Sequence, residues 1–183
     1  MKKKPYQTVI ADPPWAISDK LPGKGRGSAK HYDLLSTQRV ASFLEDEGLA
    51  RLIAPNARLF LWRLASMPHD ALIVVEEWGF TPKCELVWRK QTSTGKRWFG
   101  MGRTLRAEHE TCIIASRGRP EVLSRSVRSV FDAPVLGHSR KPDEFYAIVE
   151  ELSPGPYLEL FARRLRRGWT CLGLEAAGEA EED

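Results

Sequence analysis

Tyr6-Gln7-Thr8-Val9-Ile10-Ala11-Asp12-Pro13-Pro14-Trp15 is the stretch around which the chain is organised. Tyr6 to Ala11 is a short apolar run that reads as a buried strand. A carboxylate, two prolines and a tryptophan make a poor ordinary turn after it. The prolines fix φ and lack N–H groups, so the loop is stiff and presents acceptors: its carbonyls and the Asp12 carboxylate. Trp15 reads as exposed and offers an apolar face, and base–aromatic stacking contributes roughly 1–3 kcal/mol per base. A planar ring carrying an N–H₂ donor, such as adenine or cytosine, matches this set. The other reading is a strand-terminating turn with a satisfied aspartate and a core tryptophan, since Asp-Pro is common turn chemistry.

Outward from this stretch, strands and helices alternate. Ser36 or Thr37 caps a helix to about Glu47, with Val40, Phe43 and Leu44 inward and Gly48 ending it. Ala57 to Arg63 is a strand. Pro68 and Gly79 bracket a helix with Ala71, Leu72, Val75 and Trp78 as its apolar face. Thr81 to Arg89 is a strand with Cys84, Leu86 and Trp88 on one side, and Glu108 to Ser116 and Val127 to Phe131 are further strands. Pro142 sits at a first helical position, with Asp143 and Glu144 in the turn where carboxylates suit the helix dipole. That helix buries Phe145, Ile148, Val149 and Leu152, and Ser153-Pro154-Gly155 stops it. Tyr157 to Ala162 and Trp169 to Leu174 are the last strands. This order predicts an α/β sheet with helices on both faces. Residues 1–175 form a single domain, and the Glu/Ala-rich 176–183 read as a disordered acidic tail.

Composition narrows the partners. At 183 residues and 42% hydrophobic, the chain can bury one core. It has no apolar run of membrane-spanning length, and Met1-Lys2-Lys3-Lys4 leads into Pro5 rather than a signal peptide. Cys84, Cys112 and Cys171 each lie in an apolar run, which predicts buried thiols in a reducing, cytoplasmic setting. His109 and Cys112 lack a second ligand pair, so no metal is expected. The net charge is +4, but Glu175 to Asp183 hold five carboxylates, so the body is more basic. Cations gather in two loop-like stretches: Lys20, Lys24, Arg26 and Lys30, then Arg89, Lys90, Lys96, Arg97, Arg103 and Arg106. Basic loops beside a base-sized pocket suit a nucleic-acid backbone; a solvated surface is the plainer reading.

Two loops invite functional readings. Pro22 to Ser28 is glycine-rich but lacks the spacing of a phosphate-binding Walker loop. Tyr32, which closes that segment, is either a second stacking face or a loop anchor. Lys90 to Ala107 shows no periodicity and reads as one long loop. Its Lys96-Arg97-Trp98-Phe99 and Arg103 mix charge with stacking faces, as contacts to single-stranded or flipped bases do.

Asp12-Pro13-Pro14-Trp15 after a strand resembles the DPPW adenine-N6 methyltransferases. These are the family of the catalytic subunit of the mRNA adenosine methyltransferase and its bacterial and phage relatives. The resemblance extends to Leu59-Phe60-Leu61-Trp62, His109-Glu110-Thr111-Cys112 and His138-Ser139-Arg140-Lys141-Pro142-Asp143-Glu144. It continues through Leu152-Ser153-Pro154-Gly155, Tyr157-Leu158-Glu159-Leu160-Phe161-Ala162-Arg163 and Trp169-Thr170-Cys171-Leu172-Gly173, in family order from Tyr6 to Gly173.

The resemblance implies a Rossmann-like sheet, S-adenosylmethionine as methyl donor, and direct in-line transfer to adenine N6. DNA is the expected polymer. RNA, cytosine N4, and a catalytically silent nucleic-acid-binding subunit of the same fold are the alternatives, with a homodimer or partner subunit left open. Asp12 and the Pro13 carbonyl would accept from the amine, with Pro14 and Trp15 completing the catalytic loop. Lys141 would meet the donor's carboxylate beside Ser139, Arg163 its adenosine, and Asp12 its amino group; Glu159 and Phe161 belong to the same strand motif. Trp15, Tyr32, Lys96, Arg97, Trp98 and Arg103 would contact substrate. Where family members often carry polar residues after the arginine and Asn-Gln after the last strand, this chain has Leu165-Arg166 and Leu174-Glu175. Glu175 would stand in as the ribose partner.

Overall fold

The computed structural model describes residues 4–16, 34–101, 104–136, 140–173 and 177–179. Among them the elements run β1 (Tyr6–Ala11), α1 (Thr37–Asp46), β2 (Ile53–Arg63), α2 (Pro68–Glu77), β3 (Thr81–Gln91), β4 (His109–Arg117), β5 (Val130–Pro134), α3 (Asp143–Leu152), β6 (Tyr157–Leu160), β7 (Trp169–Leu172) and β8 (Ala177–Glu179). The strands form one mixed sheet in the order β5-β3-β4-β2-β1-β6-β7-β8. Tyr32, Arg103, Ser139 and Glu175 lie outside the described residues, as does the cluster Lys20, Lys24, Arg26 and Lys30.

Period-two alternation along the strands builds two cores. Val9, Leu59, Leu61, Ile113, Leu158 and Leu160 face α1 and α2, where Val40, Leu44, Ala71, Val74 and Val75 meet them. Ile10, Phe60, Trp62, Cys112 and Trp169 face α3, against Phe145, Tyr146 and Val149. The aromatic side is fitted edge to face, with Phe145 4.8 Å from Trp62 and 6.2 Å from Phe60 between ring centres. This is the α/β sheet with helices on both faces that the sequence predicts. Ser36 caps α1 by accepting from Arg39 N–H at 3.3 Å, and Pro68 opens α2.

Several details depart from the sequence reading. In α2, Val74 is buried and Leu72 exposed, because the helix turns its Ala71–Val75 stripe to the sheet. Cys84 is exposed, whereas Cys112 and Cys171 are buried. The β3–β4 ladder shifts register between Pro82 and Cys84, and burial on that face begins only at Leu86. Residues 177–179, assigned by composition to a disordered tail, pair antiparallel with β7, whose outer edge offers the unpaired backbone groups. The stretch 90–107 is not one open loop: β3 runs on to Gln91, and bridges Gln91–Arg97 and Gly100–Ala107 fold the excursion back.

β1 is parallel to β2 on one side and to β6 on the other, with Ile10 opposite both Phe60 and Glu159. The chain leaves β1 toward β2 and returns to its other side only at β6. The carboxyl ends of such strands frame a crevice where α/β sheets bind ligands. Asp12 follows β1 directly, and Phe161 to Arg163 follow β6 directly.

Candidate active site

The crevice is a cleft of about 270 Å³ bordered by the Asp12–Trp15 loop, the end of β2, and Lys90, Glu110, Lys141 and Arg163. The backbone of the loop is tied down by its own bonds. Trp15 N–H donates to the Pro13 carbonyl at 2.9 Å, and Leu35 N–H donates to the Pro14 carbonyl at 2.8 Å. The Pro13 carbonyl keeps a second lone pair. Trp15 is buried, not exposed. It is 4% exposed, packed in the α1–α2 core, with its indole N–H on the Trp62 carbonyl at 3.1 Å. It borders the cleft as a wall and buttress rather than as a free stacking face.

The charges form a row. Lys141 Nζ donates to Asp12 Oδ2 at 2.7 Å and lies 3.4 Å from Glu110 Oε2. Lys90 Nζ sits 2.5 Å from Glu110 Oε1, and Arg163 Nε 4.0 Å from Asp12 Oδ2. Lys141 is 8% exposed, and burial alone lowers the pKa of an ammonium. Asp12 and Glu110 outweigh that burial and hold the Lys141 pKa above its ordinary value. Burial likewise pushes the Glu110 carboxyl up, but Lys141 and Lys90 outweigh it and hold Glu110 below the usual carboxylate range. Lys90 is itself laid over the rings of Trp88 and Trp98, at 5.2 and 4.9 Å. An ammonium and a carboxylate side by side, with an arginine behind, suit a zwitterionic α-amino acid.

Phe161 turns the chain out of β6 with φ of 60°, a left-handed conformation that a bulky residue takes at a cost of about 1–3 kcal/mol. Its ring is held 4.5 Å from Phe43. Beyond it lies a groove of about 570 Å³ whose apolar border is Leu35, Phe43, Leu49, Phe161 and Leu172, with Arg39, Asp46 and Glu47 also lining it. A Cβ on Gly173 would stand 2.0 Å from the Ala162 carbonyl oxygen, so this position admits only glycine. Glu159 is turned to the α3 side, where it accepts the Tyr146 O–H at 2.7 Å. Burial raises the pKa of both groups, and the pair meets Asp12 only across a small gap.

The structure thus brings Asp12, Pro13, Pro14, Lys141 and Arg163 together, with Phe161 next to them. Lys96 and Arg97 are exposed at the turn after β3 and do not border the cleft; half-buried Trp98 reaches it only through Lys90. Arg164 and Arg166 are turned away onto α3, where both pair with Asp143 and cover the Tyr146 ring. Glu110, Lys90 and Trp62 are among the cleft residues that the sequence does not mark as part of the site. The available signal was a carboxylate set just before the apolar run Cys112-Ile113-Ile114-Ala115 of the same strand.

The chain matches the family model MT-A70 over residues 6–175. It is 33% identical to the putative N(6)-adenosine-methyltransferase MT-A70-like of Medicago truncatula, over 94% of this chain and 27% of that protein. It is 33% identical to the N(6)-adenosine-methyltransferase MT-A70-like protein of Drosophila melanogaster, over 94% and 27%. It is 30% identical to the N(6)-adenosine-methyltransferase catalytic subunit METTL3 of Homo sapiens, over 94% and 28%. The chain spans about a quarter of the length of these relatives. The family match starts at the first residue of β1, runs past β7, and takes in both sides of the Asp12 crevice: the chain belongs to the MT-A70 family.

Proposed function

We propose that the chain is an S-adenosylmethionine-dependent methyltransferase of the bacterial and phage branch of its family, acting on the exocyclic N6 of adenine in DNA. The observation that carries the reading is the Asp12 carboxylate at the end of β1, backed by Lys141 at 2.7 Å and followed by two prolines that keep its position fixed. The donor set fits the methyl donor's amino-acid end: Lys141 would take its carboxylate and Asp12 its amino group, while the groove beside Phe161 would take its apolar portion.

S-adenosylmethionine supplies a methyl group on a sulfonium sulfur, which keeps the electron pair and leaves as a thioether. Adenine N6 is a poor nucleophile because its lone pair is delocalised into the ring. Asp12 and the second lone pair of the Pro13 carbonyl accept from the two N–H groups, which localises the N6 lone pair and aims it; the N–H proton that the methylated amine sheds passes to solvent. This is orientation and preorganised charge, built on a backbone with little freedom to move. Trp15, anchored on the Trp62 carbonyl, keeps the loop against the sheet. No covalent intermediate is involved: the Cys112 thiol near the cleft is pushed well above its ordinary pKa by burial and is a poor nucleophile. The exposed Lys96 and Arg97 would meet the phosphate backbone.

RNA is the second reading, favoured by the relatives named for adenosine. Transfer of a labelled methyl group to DNA and RNA of matched sequence, with the nucleosides identified by mass spectrometry, separates them. N6-methyladenine in DNA is the expected product. N6-methyladenosine confined to RNA replaces the polymer, and methylcytosine replaces the base.

A further inference from the structure

Thr111 on β4 borders the cleft and is 7% exposed. Among the described residues its hydroxyl has no hydrogen-bond partner, and it is not sealed off from the cleft. A polar group so placed calls for a partner from a ligand. The neighbouring cations are already held. Arg63, opposite Thr111 in the β2–β4 ladder, donates to Glu85 at 2.9 Å, while Lys90 sits on Glu110 and Lys141 on Asp12.

The strand register gives the span. Thr111 lies opposite Arg63, two residues beyond Leu61 on β2. Ala11 on β1 lies opposite Leu61, and Pro13 is two residues beyond Ala11. Pro13 and Thr111 therefore stand at one level, two strand spacings or about 10 Å apart. That span accommodates two hydrogen bonds of about 2.9 Å each with the amine edge of a base between them. Period-two alternation sets Thr111 on the face of Ile113 and Trp15, opposite to Cys112 and Trp62. Leu64 and Ala65 border the cleft beside it, whereas Lys141 lies over the Trp62 ring.

We propose that Thr111 reads the target base, its hydroxyl donating to a ring nitrogen that flanks the amine held by Asp12 and Pro13. The inference rests on the reading of those two residues as acceptors for the amine. In adenine the amine is flanked by N1 and N7, both acceptors, so the hydroxyl has to donate. Guanine and thymine turn a carbonyl toward Asp12, and two acceptors then face each other. Asp12, Pro13 and Thr111 together match an amine beside a ring nitrogen, and the base lies on the side of Leu64 and Ala65.

The test is a cycle of one side chain against one base atom. Wild type, Thr111→Val and Thr111→Ser are assayed for kcat/KM on oligonucleotides of one sequence, in the polymer that wild type methylates. Every adenine position carries adenine, 1-deazaadenine or 7-deazaadenine. Valine keeps the branched shape and removes the hydroxyl; serine keeps the hydroxyl. The deaza bases alter the amine alike for all three proteins, so the difference between proteins is what is read. On adenine, Thr111→Val should lose about five- to tenfold, and Thr111→Ser should stay within about twofold of wild type. On the deaza base that lacks the contacted nitrogen, wild type and Thr111→Val should agree within about twofold, and on the other the gap should persist. Agreement on 1-deazaadenine identifies N1, and agreement on 7-deazaadenine identifies N7. A gap that persists on both deaza bases makes Thr111 a structural residue and overturns the inference alone, as does a Thr111→Val protein that matches wild type on adenine or a Thr111→Ser protein as slow as Thr111→Val. A wild type that methylates no adenine in DNA or RNA overturns the functional reading, and the inference with it.

Discussion

Lys141 and Asp12, 129 residues apart in the chain, meet at 2.7 Å at the point where the sheet reverses its strand order. Neither residue is reactive alone; the pairing makes a zwitterion-shaped site from the ends of two elements. Lys141→Met keeps the bulk and removes the charge. Charge-assisted hydrogen bonds contribute about 1.5–3 kcal/mol, so S-adenosylhomocysteine affinity measured by calorimetry should fall by about one to two orders of magnitude. An unchanged Kd would move the donor's carboxylate elsewhere.

Gly173→Ala tests the close approach between the end of β7 and the segment after β6. The added methyl would lie 2.0 Å from the Ala162 carbonyl oxygen and 2.3 Å from its nitrogen, and neither is the end of a flexible side chain. Overpacking of this kind costs about 1–3 kcal/mol, visible as a lower urea midpoint. Donor affinity should weaken too, since Arg163 is the next residue after Ala162. A variant as stable as wild type would show that this backbone yields easily.

Glu159→Gln should change stability with pH in a definite direction. Burial raises the Glu159 pKa from its ordinary 4.5, so the folded state holds its proton more tightly than the unfolded chain. From about pH 4.5 upward the unfolded state releases the proton first, and stability falls until the folded carboxyl has ionised as well. Glutamine keeps an acceptor for the Tyr146 O–H and removes this penalty. The variant should gain stability over wild type at neutral pH and lose that gain near about pH 4. A gain independent of pH would assign the effect to packing.

Phe145→Ala should cost about 3–5 kcal/mol, because its ring packs edge to face against Phe60, Trp62 and Tyr146 in the α3 core. Leu72→Ala, on the exposed side of α2, should fall within about 0.5 kcal/mol of wild type. Paired denaturant titrations distinguish the two. Comparable losses would mean that α2 is more deeply seated than its exposure indicates.

Most of the framework was legible because it is local. The apolar run Tyr6–Ala11, the cap at Ser36, Pro68 before α2 and the stop at Ser153-Pro154-Gly155 each act within a few residues. Lys141 and Arg163 entered through motif resemblance, and the fold then places both beside Asp12. Lys90 reads in sequence as a basic-loop cation and Glu110 as part of a strand motif; their pairing in the cleft depends on the antiparallel ladder of β3 with β4, a long-range event that spacing does not encode. Trp15 misled for a similar reason: its burial depends on the Trp62 carbonyl, 47 residues away. Cys84 was misplaced because alternation predicts a face but not how far along a strand that face is covered.

The most direct measurement is single-turnover methyl transfer from S-adenosylmethionine by wild type and Asp12→Asn, with the methylated nucleoside identified by mass spectrometry. Asparagine preserves size and one acceptor but removes the charge. Wild type should yield N6-methyladenine, and Asp12→Asn should be slower by about two to three orders of magnitude, as when a preorganised electrostatic group is lost. Equal rates, or a product methylated at another position, would contradict the account of Asp12 as the acceptor that prepares the amine.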